Sequence, residues 1–283
     1  MDAYPKISVL SVCYNAVNDI EKTILSVINQ TYPNLEYLII DGGSTDGTMD
    51  IVNKYKDKID VIVSEPDKGI YDAMNKGIDR ATGEWINFMN AGDVFISNGV
   101  LDDLIASSED GVRILRGNII RMYGKIKVKS CGITLQNPKL VDMFDNTFHH
   151  QACLIQKTLF EEYGMYSTEY KLCSDWKFFF DCVVLHQVNS KYVDIAVAQF
   201  QMDGASSNGA LKYENERRDY LNKLYGNEMF SLLEELSVYR KSKIIKKYYL
   251  LRNRIKQSLS PGMFNRLLMF KRIIQSFFNV KVN

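Results

Sequence analysis

The stretch Leu35-Glu-Tyr-Leu-Ile-Ile-Asp-Gly-Gly-Ser-Thr-Asp-Gly47 decides how the chain is read. An apolar, β-branched run stops at an acid, a glycine-rich polar loop follows, and Thr48 to Tyr55 resumes with helical spacing. That is strand, turn, helix in about twenty residues. The same unit recurs on either side of it. Ile7 to Cys13 is a continuous apolar run, as expected of a strand buried on both faces. Asp19 to Gln30 places Ile20, Ile24, Val27 and Ile28 on one helical face, with Asn18 or Asp19 able to cap it. Val61 to Val63, Ile70 to Ala81 and Trp85 to Met89 continue as strand, helix and strand, with Gly83 at the last turn. This alternating order predicts an α/β fold, Rossmann-like, with a mostly parallel central sheet and helices on both faces.

Beyond residue 112 the pattern changes. Val112 to Thr134 reads as a hairpin, Thr158 to Tyr163 and Asp175 to His186 as helices, and Tyr192 to Val197 as a strand. A loop, Asp203-Gly-Ala-Ser-Ser-Asn208, precedes a helical C-terminal extension from Leu211 that Pro261-Gly262 divides. No internal repeat or low-complexity stretch is present.

The 283 residues carry 35 Lys+Arg against 34 Asp+Glu, and 46% are hydrophobic, enough for a full core. Disordered, collagen-like and disulfide-stapled classes are excluded. The net charge of +1 hides an asymmetry. Residues 236–283 hold 12 basic residues and no acidic one, leaving 23 basic against 34 acidic in 1–235, a net of −11. Five widely spaced cysteines without a CxxC pair read as reduced thiols. The N-terminus lacks a signal-peptide pattern, and no 18-residue apolar window occurs. The expected location is cytoplasmic, peripheral on the inner face of the membrane.

In an open parallel sheet, ligands bind outside the carboxyl ends of the strands. Those ends carry Tyr14-Asn15, then Asp41 to Gly47, then Glu65-Pro-Asp-Lys-Gly69, then Asn90-Ala-Gly-Asp93. An acidic crevice repels a polyphosphate unless a divalent cation bridges the two, and oxygen-only ligands suit Mg²⁺ or Mn²⁺. A carboxylate there can instead hydrogen-bond a base or ribose hydroxyl. GGSTDG lacks the GxGxxG spacing, no P-loop run is present, and no HExxH occurs.

Six blocks, Ser-Val-Cys-Tyr-Asn15, Ser26 to Pro33, Ile40 to Gly47, Glu65 to Ile70, Ala73-Met-Asn-Lys-Gly77 and Ala81 to Trp85, resemble the family 2 glycosyltransferases. The resemblance implies a GT-A fold, a nucleoside-diphosphate-sugar donor with UDP-sugar favoured, a Mn²⁺ or Mg²⁺ cofactor, and inversion at the anomeric carbon. It places Tyr14, Asn15, Asp41, Asp67, Gly69, Asn75, Asn90 and Asp93 at the nucleotide-sugar site. Asp41 matches the acid that binds the base, Asp67 helps frame the nucleotide, and Asn75 is a structural asparagine beside Met74, where the family has arginine. Asn90-Ala-Gly-Asp93 aligns with the family's D-x-D-D block but keeps one carboxylate, so Asp93 is the expected metal ligand. Phe148-His-His-Gln151 and Leu172-Cys-Ser-Asp175 resemble the acceptor side. There Asp175 is the expected general base, with His149, His150, Ser206 and Ser207 at the acceptor or leaving diphosphate.

Plainer roles exist for these residues: Asp41 and Asp93 also suit turns, and Asp175 suits an N-cap. A catalytically silent GT-A binding or scaffold subunit is the alternative reading, and a nucleotidyltransferase a weaker one. The expected domains are 1–225, with a nucleotide-sugar half in 1–120 and an acceptor half in 121–225, and a basic amphipathic tail in 226–283. In the tail, Ile244, Tyr248, Leu251, Ile255 and Leu259 recur at helical spacing, and Phe264, Leu267, Phe270, Ile274 and Phe277 repeat it. Basic amphipathic helices suit an anionic membrane surface, and docking on the acidic body or a homodimer contact is the alternative. The acceptor expected for a membrane-surface enzyme is a glycan or lipid-linked glycan. An acidic body without a groove-reading motif makes nucleic acid an unsuitable partner.

Overall fold

The computed structural model describes residues 4–201 and 210–242. The expected unit repeats: β1 (Ile7–Cys13), α1 (Ile20–Ile28), β2 (Leu35–Asp41), α2 (Thr48–Lys54), β3 (Val61–Ser64), α3 (Ile70–Arg80) and β4 (Trp85–Phe88). Strands β3, β2, β1 and β4 lie side by side in that order, all parallel, so their carboxyl ends form one edge. Buried apolar side chains alternate between the two faces of the sheet, as the two-residue period requires. Ile7 and Val9 pack under Ile20, Ile24 and Val27 of α1, while Leu10 meets α3 at Gly77 on the other face. Helices therefore cover both faces.

The second half extends the same sheet by a different rule. After β5 (Val94–Phe95) and α4 (Val100–Ile105) come β6 (Ile114–Tyr123), β7 (Ile126–Ser130), α5 (Leu140–Asp145), β8 (Cys153–Gln156) and α6 (Thr158–Tyr163). Helix α7 (Ser174–Phe180) runs into a π turn over Asp181–Leu185, and β9 (Ser190–Gln201) follows. Strand β8 enters antiparallel to β4, then β6 antiparallel to β8, β9 parallel to β6, and β5 at the far edge. Hairpin β6–β7 stands where the sequence predicts one. Four of these elements escape the sequence reading: β5, α4, α5 and β8.

Two further expectations are corrected. Asp19 does not cap α1 through its side chain; it pairs with Lys22 at 2.5 Å. Asp175 is the second residue of α7, not its N-cap, which is Cys173. Helix α8 (Ala210–Lys241) is interrupted at Gly226, whose φ of 80° and ψ of 164° leave the helical region. The chain divides into residues 1–227 and 228–283, and residues 228–242 are the described part of the second. Ser206, Ser207 and most of the basic tail lie outside the described residues. All five cysteines are free. Among the described residues no helix is long and apolar enough to cross a membrane.

Gly83 shows how closely the fold is packed. A methyl group there would stand 2.6 Å from the Ser8 backbone nitrogen and 2.9 Å from the Lys6 carbonyl oxygen. Neither atom can yield without moving β1. Gly83→Ala is expected to cost about 1–3 kcal/mol, read as a Tm several degrees lower in thermal denaturation; an unchanged Tm would mean the turn before β4 is looser than described.

Candidate active site

The loops at the carboxyl edge are built before they bind anything. Asp41, fully buried at the end of β2, accepts from the Gly43 and Ser44 amides (3.1 and 3.0 Å), the Ser44 hydroxyl and the Ser64 hydroxyl (2.6 Å). Burial alone would raise its pKa, but these donors outweigh it and hold the carboxyl below its usual range. Three of these donors belong to the loop and the fourth, Ser64, to the end of β3, so Asp41 shapes the loop from beneath. Asn15, at φ 47°, accepts the Thr45 amide at 3.0 Å and gives its own amide to the Ser44 hydroxyl at 2.8 Å. Its role is likewise to hold this loop.

Asp67 faces the crevice differently. Its Oδ1 accepts the Gly69 amide at 2.8 Å, and its Oδ2 would lie 2.3 Å from a methyl group on Gly42. Only glycine at 42 lets that carboxylate lie across the loop. Tyr14 lies against the same position with its side chain largely exposed. Gly69 has φ 124°, a conformation that favours glycine, and leads into α3. Asn75 is placed away from the crevice, donating to the Tyr166 carbonyl (2.8 Å) and accepting its amide (3.0 Å). It pins the segment ahead of α7 to α3.

The antiparallel entry of β8 completes the site. Because β8 runs against β4, its amino end lies beside the carboxyl end of β4. The Asn87 amide fixes that approach, donating to the carbonyls of Gln151 (3.1 Å) and Cys153 (2.9 Å). His150 and Gln151 thereby arrive at Asn90 and Asp93. His150 Nε2 lies 3.4 Å from Asn90 Nδ2, and its Nδ1 lies 3.0 Å from Asp175 Oδ2. The Tyr71 hydroxyl, from α3, is 2.8 Å from Asp175 Oδ1. Gln151 bonds to Asp93 through its side chain. Six side chains from four separate segments thus link the two halves of the sheet.

His149, expected alongside His150, turns away. Its Nε2 lies 3.1 Å from the Ser130 hydroxyl, and burial, aided by the Arg121 and His150 charges, pushes its pKa down to about 3. It is a neutral packing residue at neutral pH. His150 moves the other way: burial opposes its charge, but the hydrogen bond and charge of Asp175, with Asp93, raise its pKa. Burial also works to raise the pKa of Asp175, yet His150 and Tyr71 hold it below its usual range. Asp93 is deeply buried, which raises its pKa to about 7 against the pull of His150 and the Gln151 hydrogen bond.

The sequence gives no separate warning of Glu216. Its carboxylate, on α8, accepts the Leu172 and Cys173 amides (2.8 and 3.2 Å), the orphan donors at the start of α7. Beside it, the Arg217 guanidinium lies 4.5 Å over the Trp176 ring. Helix α8 therefore caps the helix that carries Asp175.

This arrangement suits a divalent cation held by oxygen. Among the described residues no cluster of three or more His, Cys, Asp or Glu exists. The site instead offers one buried carboxylate, Asp93, and in the same turn the Asn90 Oδ1, which is buried without a partner. That orphan acceptor and that carboxylate fit a hard cation whose other ligands come from a bound phosphate and water.

Residues 8–163 match the family model for glycosyl transferase family 2, and the chain belongs to that family. It is a glycosyltransferase. A PGL/p-HBAD biosynthesis glycosyltransferase of Mycobacterium tuberculosis is 28% identical over 221 residues, covering 76% of this chain and 84% of that protein. Among solved structures, S. aureus TarS 1-349 in complex with UDP has a TM-score of 0.58 at 22% identity, over 69% of this chain and 60% of that one. The chain thus spans less than two thirds of that structure. The mannosyltransferase PcManGT of Pyrobaculum calidifontis, in complex with GDP-Man and Mn²⁺, has a TM-score of 0.62 at 15% identity, over 97% of this chain and 81% of that one. Both structures share the GT-A fold expected from the sequence. The family match ends at residue 163, before α7.

A cation on Asp93 must displace the proton that burial retains there up to about pH 7. Mn²⁺ affinity, measured by calorimetry with UDP present, is expected to rise about tenfold between pH 6 and pH 8 beyond any rise in the Asp93→Asn variant. A wild-type profile no steeper than the variant's would remove Asp93 from the cation site.

Proposed function

We propose that the chain transfers a sugar, with inversion, from a nucleoside-diphosphate sugar to a hydroxyl of a glycan acceptor. A UDP-sugar is the favoured donor, and the acceptor is lipid-linked, in bacterial surface-polysaccharide synthesis at the inner face of the membrane. The observation that carries this reading is the hydrogen-bonded run from Asn90 through His150 to Asp175. It joins an oxygen-rich strand-end turn to a partly buried carboxylate across a cavity. The ligands of the similar structures, UDP in one and GDP-Man with Mn²⁺ in the other, support the donor class.

In this reading residues 1–120 hold the donor, with Tyr14, Asp67 and the loop shaped by Asp41 and Asn15 framing the nucleotide. Asp93 and Asn90 Oδ1 hold Mn²⁺ or Mg²⁺. When bound, the cation neutralises charge on the departing diphosphate. Residues 121–225 present the acceptor. Asp175 accepts the proton of the attacking hydroxyl, which must leave as the new bond forms. Tyr71 and His150 fix the orientation of the carboxylate, and Glu216 fixes its helix. His150 Nδ1–H on Asp175 leaves Nε2 to accept from Asn90, which turns the Asn90 oxygen free for a cation. The carboxyl of Asp175 stays ionised through neutral pH because its pKa is held low, so it is ready as a base without prior deprotonation.

Transfer or donor hydrolysis in the presence of Mn²⁺ tests the reading. Asp175→Ala is expected to lower kcat by roughly 10²–10⁴ while UDP binding persists. Asp93→Ala is expected to weaken UDP binding only when Mn²⁺ is present. A well-folded protein that turns over no nucleotide sugar would favour the silent binding subunit. Release of pyrophosphate instead of a nucleoside diphosphate would make it a nucleotidyltransferase.

The basic segment 236–283 is the membrane contact in this proposal. Removing residues 236–283 should release the protein from anionic vesicles in a sedimentation assay and leave UDP affinity unchanged. Retained pelleting would refute the membrane role and turn attention to a homodimer contact.

A further inference from the structure

The cavity beside Asp175 has a volume of about 410 Å³ and two unlike walls. Met74, Ile119 and Phe200 are apolar, while Arg121, Lys171 and His150 are basic. Arg121 is held firmly by its backbone: it sits in β6 with Val128 of β7 on one side and Phe200 of β9 on the other. Its side chain is not held. Its Nε is buried without a hydrogen-bond partner, and among the described residues no carboxylate pairs with it.

Other arginines of the same half behave differently. Arg113 grips Glu162 with both terminal nitrogens, Arg116 reaches the Ile133 and Leu135 carbonyls, and Arg217 reaches those of Met143 and Phe144. Each is a structural clamp. Among the described residues Lys171 has no carboxylate partner either, its Nζ lying 3.3 Å from the Lys68 carbonyl. Asp175, the one acid among the described residues that line the cavity, is already engaged by His150 and Tyr71. A buried guanidinium donor left unmet is costly, and a planar fork of donors matches a tetrahedral oxyanion bidentately. Two unmatched cations beside His150 supply more positive charge than one carboxylate needs, and a phosphate ester carries about −1.5 to −2 at neutral pH.

We infer that this cavity binds a phosphate group of the acceptor, with Arg121 holding two of its oxygens, Lys171 adding charge, and the apolar wall taking the adjoining carbon chain or sugar face. The acceptor is then a phosphorylated glycan or glycolipid. This inference rests on the reading of Asp175 as the acceptor-side base. The same phosphate chemistry is present in the donor's diphosphate, and the experiment separates the two sources.

Octyl phosphate, octyl β-glucoside, octanoate and UDP with Mn²⁺ are titrated calorimetrically into the full chain and into the Arg121→Gln and Arg121→Lys variants. Octyl phosphate is expected to bind at least tenfold more tightly than the glucoside or octanoate. Arg121→Gln should weaken octyl phosphate by roughly 10–100-fold, Arg121→Lys by less, and neither should change UDP affinity. With ligand absent, Arg121→Gln should melt no lower than the wild type, since it removes a half-buried side chain whose buried Nε has no partner. Equal loss of UDP affinity would assign Arg121 to the donor diphosphate, octanoate binding as tightly as octyl phosphate would make the site a carboxylate site, and unchanged octyl phosphate binding in Arg121→Gln would free the cavity of any such role. Each of these overturns the inference. Asp175→Asn separates the layers: loss of phosphate binding with Asp175-dependent transfer intact refutes the subsite alone. Phosphate binding in a protein that transfers no sugar refutes the enzymatic reading while the subsite stands.

Discussion

The Asn87 amide spans from β4 to the carbonyls of Gln151 and Cys153, and that bridge fixes where the second half of the protein meets the first. A parallel strand beside β4 would have sent its amino end to the opposite edge, far from Asp93. An antiparallel one delivers its entry turn to the carboxyl edge where ligands bind. The short turn of His150–Ala152 then points two neighbouring side chains at two different acids, Gln151 at Asp93 and His150 at Asp175. The remaining site geometry, including the placement of α7 against α3 through Tyr71, builds on that one antiparallel entry.

Charge inside the protein is distributed by the same economy. Arg116 and Arg217 are buried without buried acids, and backbone carbonyls with aromatic faces serve as their partners: Phe148 lies 4.3 Å from the Arg116 guanidinium carbon. Burial lowers the Arg116 pKa only to about 10, so it remains charged. The crevice acids divide by surroundings. Asp41 and Asp175 are supplied with donors that outweigh burial and stay ionised, whereas at Asp93 burial outweighs the Gln151 hydrogen bond and the His150 charge and keeps its proton near neutrality. A group left wanting a positive partner is suited to receiving one from outside.

The donor half was legible because a parallel βα unit writes its signal locally: a continuous apolar run, an acid at the strand end, a glycine turn, an amphipathic helix. Ile7 to Phe88 follow that grammar with ends shifted by a residue or two. The second half does not. Strand β5 is two residues long and pairs with β9 about a hundred positions on, so nothing nearby in the sequence marks it. Strand β8, four residues of which three are buried, is indistinguishable by period from a piece of core helix. Among site residues, strand ends located Asp93 and Asn90, and resemblance located Asp175 and His150. The direction in which a side chain points was less legible. Asp41 and His149 stand at the expected positions but turn inward, because adjacent loop amides and Ser130 claim them first. Tyr71, Gln151, Glu216 and Arg121 were missed since their meaning comes from partners distant in the chain. Arg121 is the extreme case, because among the described residues its buried Nε has no partner at all.

The cap that Glu216 places on α7 has a consequence for a shortened chain. The amides of Leu172 and Cys173 wait for a carboxylate 44 and 43 positions further along. A chain ended before residue 216 would lack the acceptor for both amides, so the segment that leads into α7 would lose this tether while β1 to β4, which make no use of it, keep all their pairings.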